Sequence, residues 1–461
     1  MRQLKKATWL AGGLSLMMVL GVTAGCGGSG SGDSNSGNNS NGNGSQASPA
    51  AGASQAPAAS TASGKTIKLK MWGGVPAESG PQAVVDAWNK QNPDIQVSYE
   101  RFVNDDAGNL KLDTALMTGQ DADLFVSYSY PRLQKRKDAG LALDLSAYKD
   151  YNVDEKMGPD AKLWQIDGKY YGIPTKKNMS FVWLNKDALD AAGLPVPALD
   201  WTWDDMKEYA AKLKTDKRWG LLQHEAGYME QVDSGTAAIG FVKPDGTSNL
   251  NNPLAAKGYE VAYEMQKAKS MPTYGEQMTS KMPTDTMFLK GETAMLYAGE
   301  FIFRNANNLK DNPRSFKIAF ATVPKLSKNA DEFKYPAGLG DVVSINAKSA
   351  NKEAAWKFLK WYADGGMMPM ASGGRIPSSK AVNADDAIKL LLSGVDSTYD
   401  LDSLKKVVFG TFPTYVSSLE QQVIDLRKEE YEKYLLGKQD LKTTLENMAK
   451  RHNDFLKQNK K

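Results

Sequence analysis

The chain has 461 residues, 41% of them hydrophobic, with 57 Lys and Arg against 53 Asp and Glu for a formal net charge of +4. The apolar fraction is ordinary for a globular chain and the length is enough for two domains, while near-neutrality gives no case for broad electrostatic binding to nucleic acid or a membrane surface. A single cysteine excludes an intramolecular disulfide, and two histidines with no second His or Cys at ligand spacing leave no metal site to propose.

The first 25 residues read as an export signal. Arg2, Lys5 and Lys6 form a basic start, Ala7 to Gly25 carry no charge, and the small residues Ala24 and Gly25 precede Cys26. The apolar run is short and interrupted by glycine, which argues against a permanent spanning helix of about 20 residues. "VTAGC" resembles a bacterial lipobox, which implies cleavage before Cys26 and attachment of diacylglycerol to its sulfur. Loss of residues 1–25 removes three basic side chains and leaves a net charge of +1. Residues 26–64 hold the lipidated Cys and a Gly/Ser/Asn/Ala-rich tract whose stretch from Gly27 to Gly64 has one charge, Asp33, and no aromatic, Val, Leu or Ile. Such a tract is expected to stay disordered and to act as a tether with a span of roughly 35 Å.

The body begins with alternating Ile67, Leu69 and Met71, a strand. "PQAVVDAWNKQNP" is a helix with Val84, Val85 and Trp88 on one face. "IQVSYERF" is a strand, "GNLKLDTALMTGQ" a helix and "DADLFVSY" a short strand. Alternation of this kind predicts parallel pairing in an α/β sheet. "WQIDGKYYGIP" predicts a hairpin on its Asp-Gly turn. Thr202 and Asp205 form a capping box ahead of Met206, Tyr209, Ala210 and Leu213 at helical spacing. Thr293 to Ala298, "KIAFATVP" and "DVVSINA" are further strands, and from Asn351 the pattern is mostly helical, including "PTYVSSLEQQVIDLRKEEYEKYLLG".

Catalytic motifs are missing or fail on context. His452 falls in line with Leu441, Leu445, Met448 and Phe455 and reads as structural; His224 has only Glu225 beside it. No G-x-S-x-G elbow occurs. "ASTASGKT" matches a loose phosphate-loop pattern but lacks its first Gly and a preceding strand. Asp105/Asp106 and Asp204/Asp205 are adjacent carboxylates, the second pair well placed for a helix dipole; neither is a case for acid–base chemistry.

Four stretches carry a resemblance: Tyr171-Gly172-Ile173-Pro174, Leu184-Asn185-Lys186-Asp187, Ala192-Gly193-Leu194 and Thr202-Trp203-Asp204-Asp205. With "FLKGETAMLYAGEF" and "SANKEAAWKFLKWYAD" followed by "GGRIPSS", they resemble the family 1 extracellular solute-binding proteins of ABC importers, most of which take sugars. Leu184 stands where that family usually has Tyr. The resemblance implies a two-lobed periplasmic-binding-protein-like (type II) α/β fold with three crossovers, closing on ligand like a clamp. The crossovers are expected near Pro174–Ser180, Thr322–Leu326 and Gly365–Gly374. Lobe 1 would then be 65–175 plus 325–367, and lobe 2 would be 177–323 plus 370–461. It also implies a monomer, anchored outside the cell membrane, that binds a carbohydrate and hands it to ABC permease subunits, with no cofactor and no catalysis. An anchored glycosidase or lyase, or a sensor reporting to a membrane kinase, are the competing classes.

Ligands of open α/β sheets sit beyond the carboxyl ends of strands. That rule selects Trp72, Tyr128, Tyr130, Glu300, Phe301 and Asp341, and the resemblance adds Asn178, Glu225, Arg375 and Tyr415. Aromatic faces suit the C–H face of a sugar and the polar groups suit its hydroxyls. Trp72 has core packing as its alternative. Tyr128 and Tyr130 alternate with Ser127 and Ser129 along an assumed strand, so at most one of the two faces is expected to point inward. Phe301 stands where the family stacks a Trp, and it keeps a ring face without the indole donor. Trp164, Trp201, Trp219, Trp356 and Trp361 read as core, and Met367, Met368 and Met370 as packing near a crossover.

Overall fold

The computed structural model describes residues 66–459 except 120, 226, 327, 329–332, 411 and 418. The leader, the tether with Cys26, and the phosphate-loop lookalike up to residue 65 lie outside the described residues. The described strands are β1 (Ile67–Gly73), β2 (Ile95–Arg101), β3 (Leu124–Ser127), β4 (Ile173–Asn185), β5 (Trp219–Gln223), β6 (Thr293–Gly299), β7 (Ile318–Thr322), β8 (Tyr335–Ile345) and β9 (Thr414–Tyr415). No helix among the described residues is long and apolar enough to cross a membrane.

The path of pairing runs β2-β1-β3-β8-β4-β6-β5, with β7 on β4 and β9 on β8. β1 is parallel to β2 and β3, and β5 is parallel to β6. β8 is antiparallel to β3, and β4 is antiparallel to β6, β7 and β8. The sheet is therefore mixed rather than wholly parallel. The parallel part is built by helix crossovers, but β8 is reached from the other half of the molecule and enters β3's edge from the opposite end.

β4 joins the two parts of this arrangement. Its first half, through Met179, pairs with β8, and from Ser180 onward it pairs with β6 and β7. The second half, "SFVWLN", is apolar on both sides because both faces are covered. Phe181 and Trp183 enter one core with Phe303 and Phe320, while Val182 and Leu184 enter another with Met206, Tyr259 and Tyr297. The first lobe has its own core, built from Leu69, Val84, Trp88, Phe125, Trp356 and Phe358. Leu326, Phe333, Tyr335 and Ala337 pack with Tyr259 and Tyr297, and the first-lobe core resumes at Leu339. The start of β8 thus packs with the second core and its continuation with the first. Met370 closes the first core and Ala371 opens the third.

Local signals act as the chemistry dictates. The Thr202/Asp205 capping box is complete and starts the helix Trp203–Leu213, which buries Met206, Ala210 and Leu213. The Asp-Gly hairpin shrinks to one bridge, Ile166 to Lys169, with Asp167 at φ 52° and Gly168 at φ 72°. Its second arm leaves at once to join β8 through β4. The helix expected from "PTYV" onward begins only at Gln421, and Thr414–Tyr415 forms β9 against Tyr335 and Pro336.

His452 is buried on the helix Leu441–Gln458, its Nδ1 2.9 Å from Ser248 Oγ. Burial, with the charge of Arg427 second, depresses its pKa to about 4. Folding therefore favours the neutral ring. Its contribution is complete above the unfolded value of about 6.5 and is lost as pH falls toward 4. His452→Gln is expected to flatten the fall of the urea midpoint across that window; an identical pH slope in both proteins would contradict this.

Candidate functional site

A cleft of about 590 Å³ lies where β4, β6 and β8 bring the halves together, within the usual size of ligand sites. On the first-lobe side, β3 ends at Ser127 and Pro131 helps start a helix at Tyr130. The alternation assumed for Ser127–Tyr130 is thus broken, and Tyr128, Ser129 and Tyr130 all line the cleft, correcting the expectation of a single inward face. Tyr128 Oη accepts from Gly74 N at 2.6 Å. Burial, then the nearby Asp341, raises the phenol pKa, so Tyr128 remains a neutral hydroxyl. The Tyr130 ring leans on Trp164 at 6.2 Å, and Trp164 Nε1 donates to Leu339 O at 2.7 Å. Trp164 is core, as expected, yet it also shows an edge to the cleft.

The floor is an ionic network. Lys176 on β4 is 3% exposed and contacts Glu300, which sits just past β6. Its Nζ is 3.8 Å from Asp341 Oδ1. Glu300 Oε2 also accepts from Met179 N at 2.9 Å. Arg375 Nε donates to Asp341 Oδ2 at 3.1 Å. Asp341 takes φ 46°, a conformation costly for a non-glycine residue, and its carbonyl accepts from Thr175 Oγ1 at 2.8 Å. Two cations and two anions are thus buried as a closed set that adds no net charge. Beside it, Asn178 lies opposite Gly338 in the β4–β8 ladder, its amide stacked over Gly340, where a Cβ would strike it.

The second-lobe wall carries Phe301, His224, Tyr415, Glu230 and Arg304. Phe301 is half-buried, its ring folded back over Gly299, where a Cβ would lie 2.9 Å from it. His224 meets that ring edge-on at 5.6 Å between centroids. Tyr415 Oη donates to Glu230 O at 3.2 Å, and Glu230 Oε2 accepts from Tyr297 Oη at 3.2 Å. Burial raises the Glu230 pKa above the ordinary carboxylate range.

Eight of the ten sequence-selected residues face this cleft: Tyr128, Tyr130, Asn178, Glu300, Phe301, Asp341, Arg375 and Tyr415. Two do not. Trp72 is buried on the side of the helix Asp106–Thr118, its Nε1 donating to Asp121 O at 2.7 Å and Lys111 Nζ lying 4.9 Å from its ring centroid. A strand alternates its faces, and Trp72 falls on the face away from the opening. Glu225 precedes the helix Gly227–Ile239 and pairs with Lys428 instead. Lys176, Glu230, His224 and Arg304 went unselected. Lys176 had a readable signal, because a lysine in an otherwise buried strand demands a buried partner; the other three depend on tertiary placement.

The family whose model matches residues 73–365 is described as bacterial extracellular solute-binding protein. A binding protein of Brucella abortus is 27% identical over 299 residues, 61% of this chain and 68% of its own length. The galactooligosaccharide-binding protein of Bacillus subtilis is 24% identical over 321 residues, 66% of this chain and 70% of its own length. Among solved structures, an ABC substrate-binding protein of Listeria monocytogenes in complex with cycloalternan superposes with a TM-score of 0.69 at 20% identity, covering 85% of this chain and 99% of that one. At that identity the likeness establishes the two-lobed fold.

Proposed function

The chain belongs to the bacterial extracellular solute-binding proteins, and from that premise we propose that it binds a carbohydrate in the cleft and delivers it to an ABC permease. The carrying observation is the company kept by the cleft residues. The rings of Tyr130, Phe301 and Tyr415 face the same space as a buried network whose charges are already paired. Paired charges offer strong hydrogen bonds to hydroxyls without requiring a charged ligand. Two relatives named for galactooligosaccharide and pictured with cycloalternan support the reading. The first lobe comprises about 66–179 and 339–370, the second about 180–337 and 371–459.

Turnover is not expected. Glu300 and Asp341 are engaged with Lys176 and Arg375, and Glu230 is bound by Tyr297, so among the described residues of the cleft no carboxyl pair is free to share acid and nucleophile roles. A thermal-shift screen of the mature chain against mono- and oligosaccharides tests the binding. Ligand at 100 times Kd adds about 2.7 kcal/mol; stabilisation by none of the sugars would contradict the reading, and hydrolysis of a stabilising glycan would favour the enzyme class.

The anchor rests on the leader and on Cys26. Acyl chains contribute about 0.8 kcal/mol per buried CH₂, and two chains hold a protein on a bilayer. Cys26→Ser should therefore shift the protein from the membrane pellet to the soluble fraction with an unchanged melting temperature. Retention of the variant in a salt-washed pellet would contradict lipidation.

A further inference from the structure

Arg304 differs from every other cation of the cleft. It lies on the helix Phe303–Asn307, half-buried, and lines the cavity. Among the described residues it has no carboxylate within ion-pair distance, whereas Lys176 and Arg375 are both paired. Asp285 and Glu78 attract it only from beyond that distance, and Asp285 is occupied by the Asn305 amide at 2.7 Å. Burial, together with Arg375 nearby, lowers its pKa from the ordinary arginine value. Arginine nevertheless stays charged. A ligand that fills the cleft removes more water from this guanidinium. Hydroxyl groups supply hydrogen bonds but no countercharge, so enclosing the cation against a neutral sugar is costly.

We infer that the ligand is an acidic sugar, carrying one carboxylate that the Arg304 guanidinium binds. This rests on the carbohydrate reading above and narrows it. One uncompensated cation matches one negative charge, and the planar fork matches a carboxylate in bidentate geometry. A phosphate monoester, at about −1.5 to −2, leaves charge uncompensated because the remaining cations are already paired.

The test is calorimetric titration of the mature chain with matched pairs, the neutral mono- and disaccharides of glucose, galactose and mannose against their uronic acid counterparts, with the corresponding 6-phosphates as a third arm. A uronic acid is expected to bind at least tenfold more tightly than its neutral partner and than the phosphate. Arg304→Gln is expected to shrink that preference by about 10- to 100-fold, and Arg304→Lys by less, since it keeps the charge and loses the fork. Each variant's melting temperature without ligand should match the parent's. Neutral sugars bound as tightly as acids overturn the inference and leave the carbohydrate reading standing. A phosphate preferred over the carboxylate overturns the carboxylate assignment. Equal losses for acid and neutral ligands in both Arg304→Gln and Glu78→Gln overturn it too, by making Arg304 a contact between lobes. Binding of none of these sugars overturns the inference and counts against the carbohydrate reading as well.

Discussion

Lys176→Met is expected to destabilise the protein by about 3–5 kcal/mol, the usual cost of breaking a buried ion pair from one side. Lys176 is 3% exposed and is the one cation that touches both Glu300 and Asp341 among the described residues. Among the described residues its removal leaves Glu300 with the Met179 amide alone, while Asp341 keeps Arg375. At 2–4 °C per kcal/mol for a lobe of this size, the melting temperature should fall by roughly 6–20 °C. Lys176→Met combined with Glu300→Gln should recover part of the loss, because the uncompensated carboxylate goes as well. Thermal melts of the parent and both variants decide the matter. A single variant within about 2 °C of the parent would mean that the network does not hold the floor of the cleft.

Phe301→Ala should lower sugar affinity by roughly 10- to 100-fold with little change in stability. Fully burying such a ring is worth roughly 1.5–3 kcal/mol, and each 1.4 kcal/mol is about tenfold in Kd. The ring is only half-buried, packed at the margin of the core that holds Phe181 and Trp183. It rests over Gly299 and against the edge of His224, with one side open to the cleft. Phe301→Trp should keep or improve binding, since it enlarges the face and adds a donor. Calorimetric titration and melting of both variants separate the roles. A Phe→Ala change in a core costs about 3–5 kcal/mol, so a large drop in melting temperature with unchanged affinity would assign the ring to packing.

The elements were legible where local chemistry decides them. Alternation in β1 and β2, the Thr202/Asp205 box and the face formed by Val84, Val85 and Trp88 are set within a few residues. What was not legible depends on distant partners. The antiparallel entry of β8 follows from a crossover, and no pattern inside "DVVSINA" states its direction. Trp72 and Tyr128 both lie within one residue of a strand's end, yet only Tyr128 faces the cleft, because Trp72 packs under Lys111 of the helix Asp106–Thr118 and donates to Asp121 O. Glu225 is drawn off by Lys428, about two hundred residues later in the chain. The strand-end rule found Glu300, Phe301 and Asp341 because it concerns where a sheet opens rather than what each residue prefers.

A crystal structure of the mature chain with the sugar that raises its melting temperature most tests the central claim directly. A sugar ring is expected between the lobes, one face against Phe301, with hydroxyls within hydrogen-bond distance of Glu300, Asp341 or Arg375. A sugar bound outside this cleft, or one inside it that touches neither Phe301 nor the ionic floor, would contradict the claim.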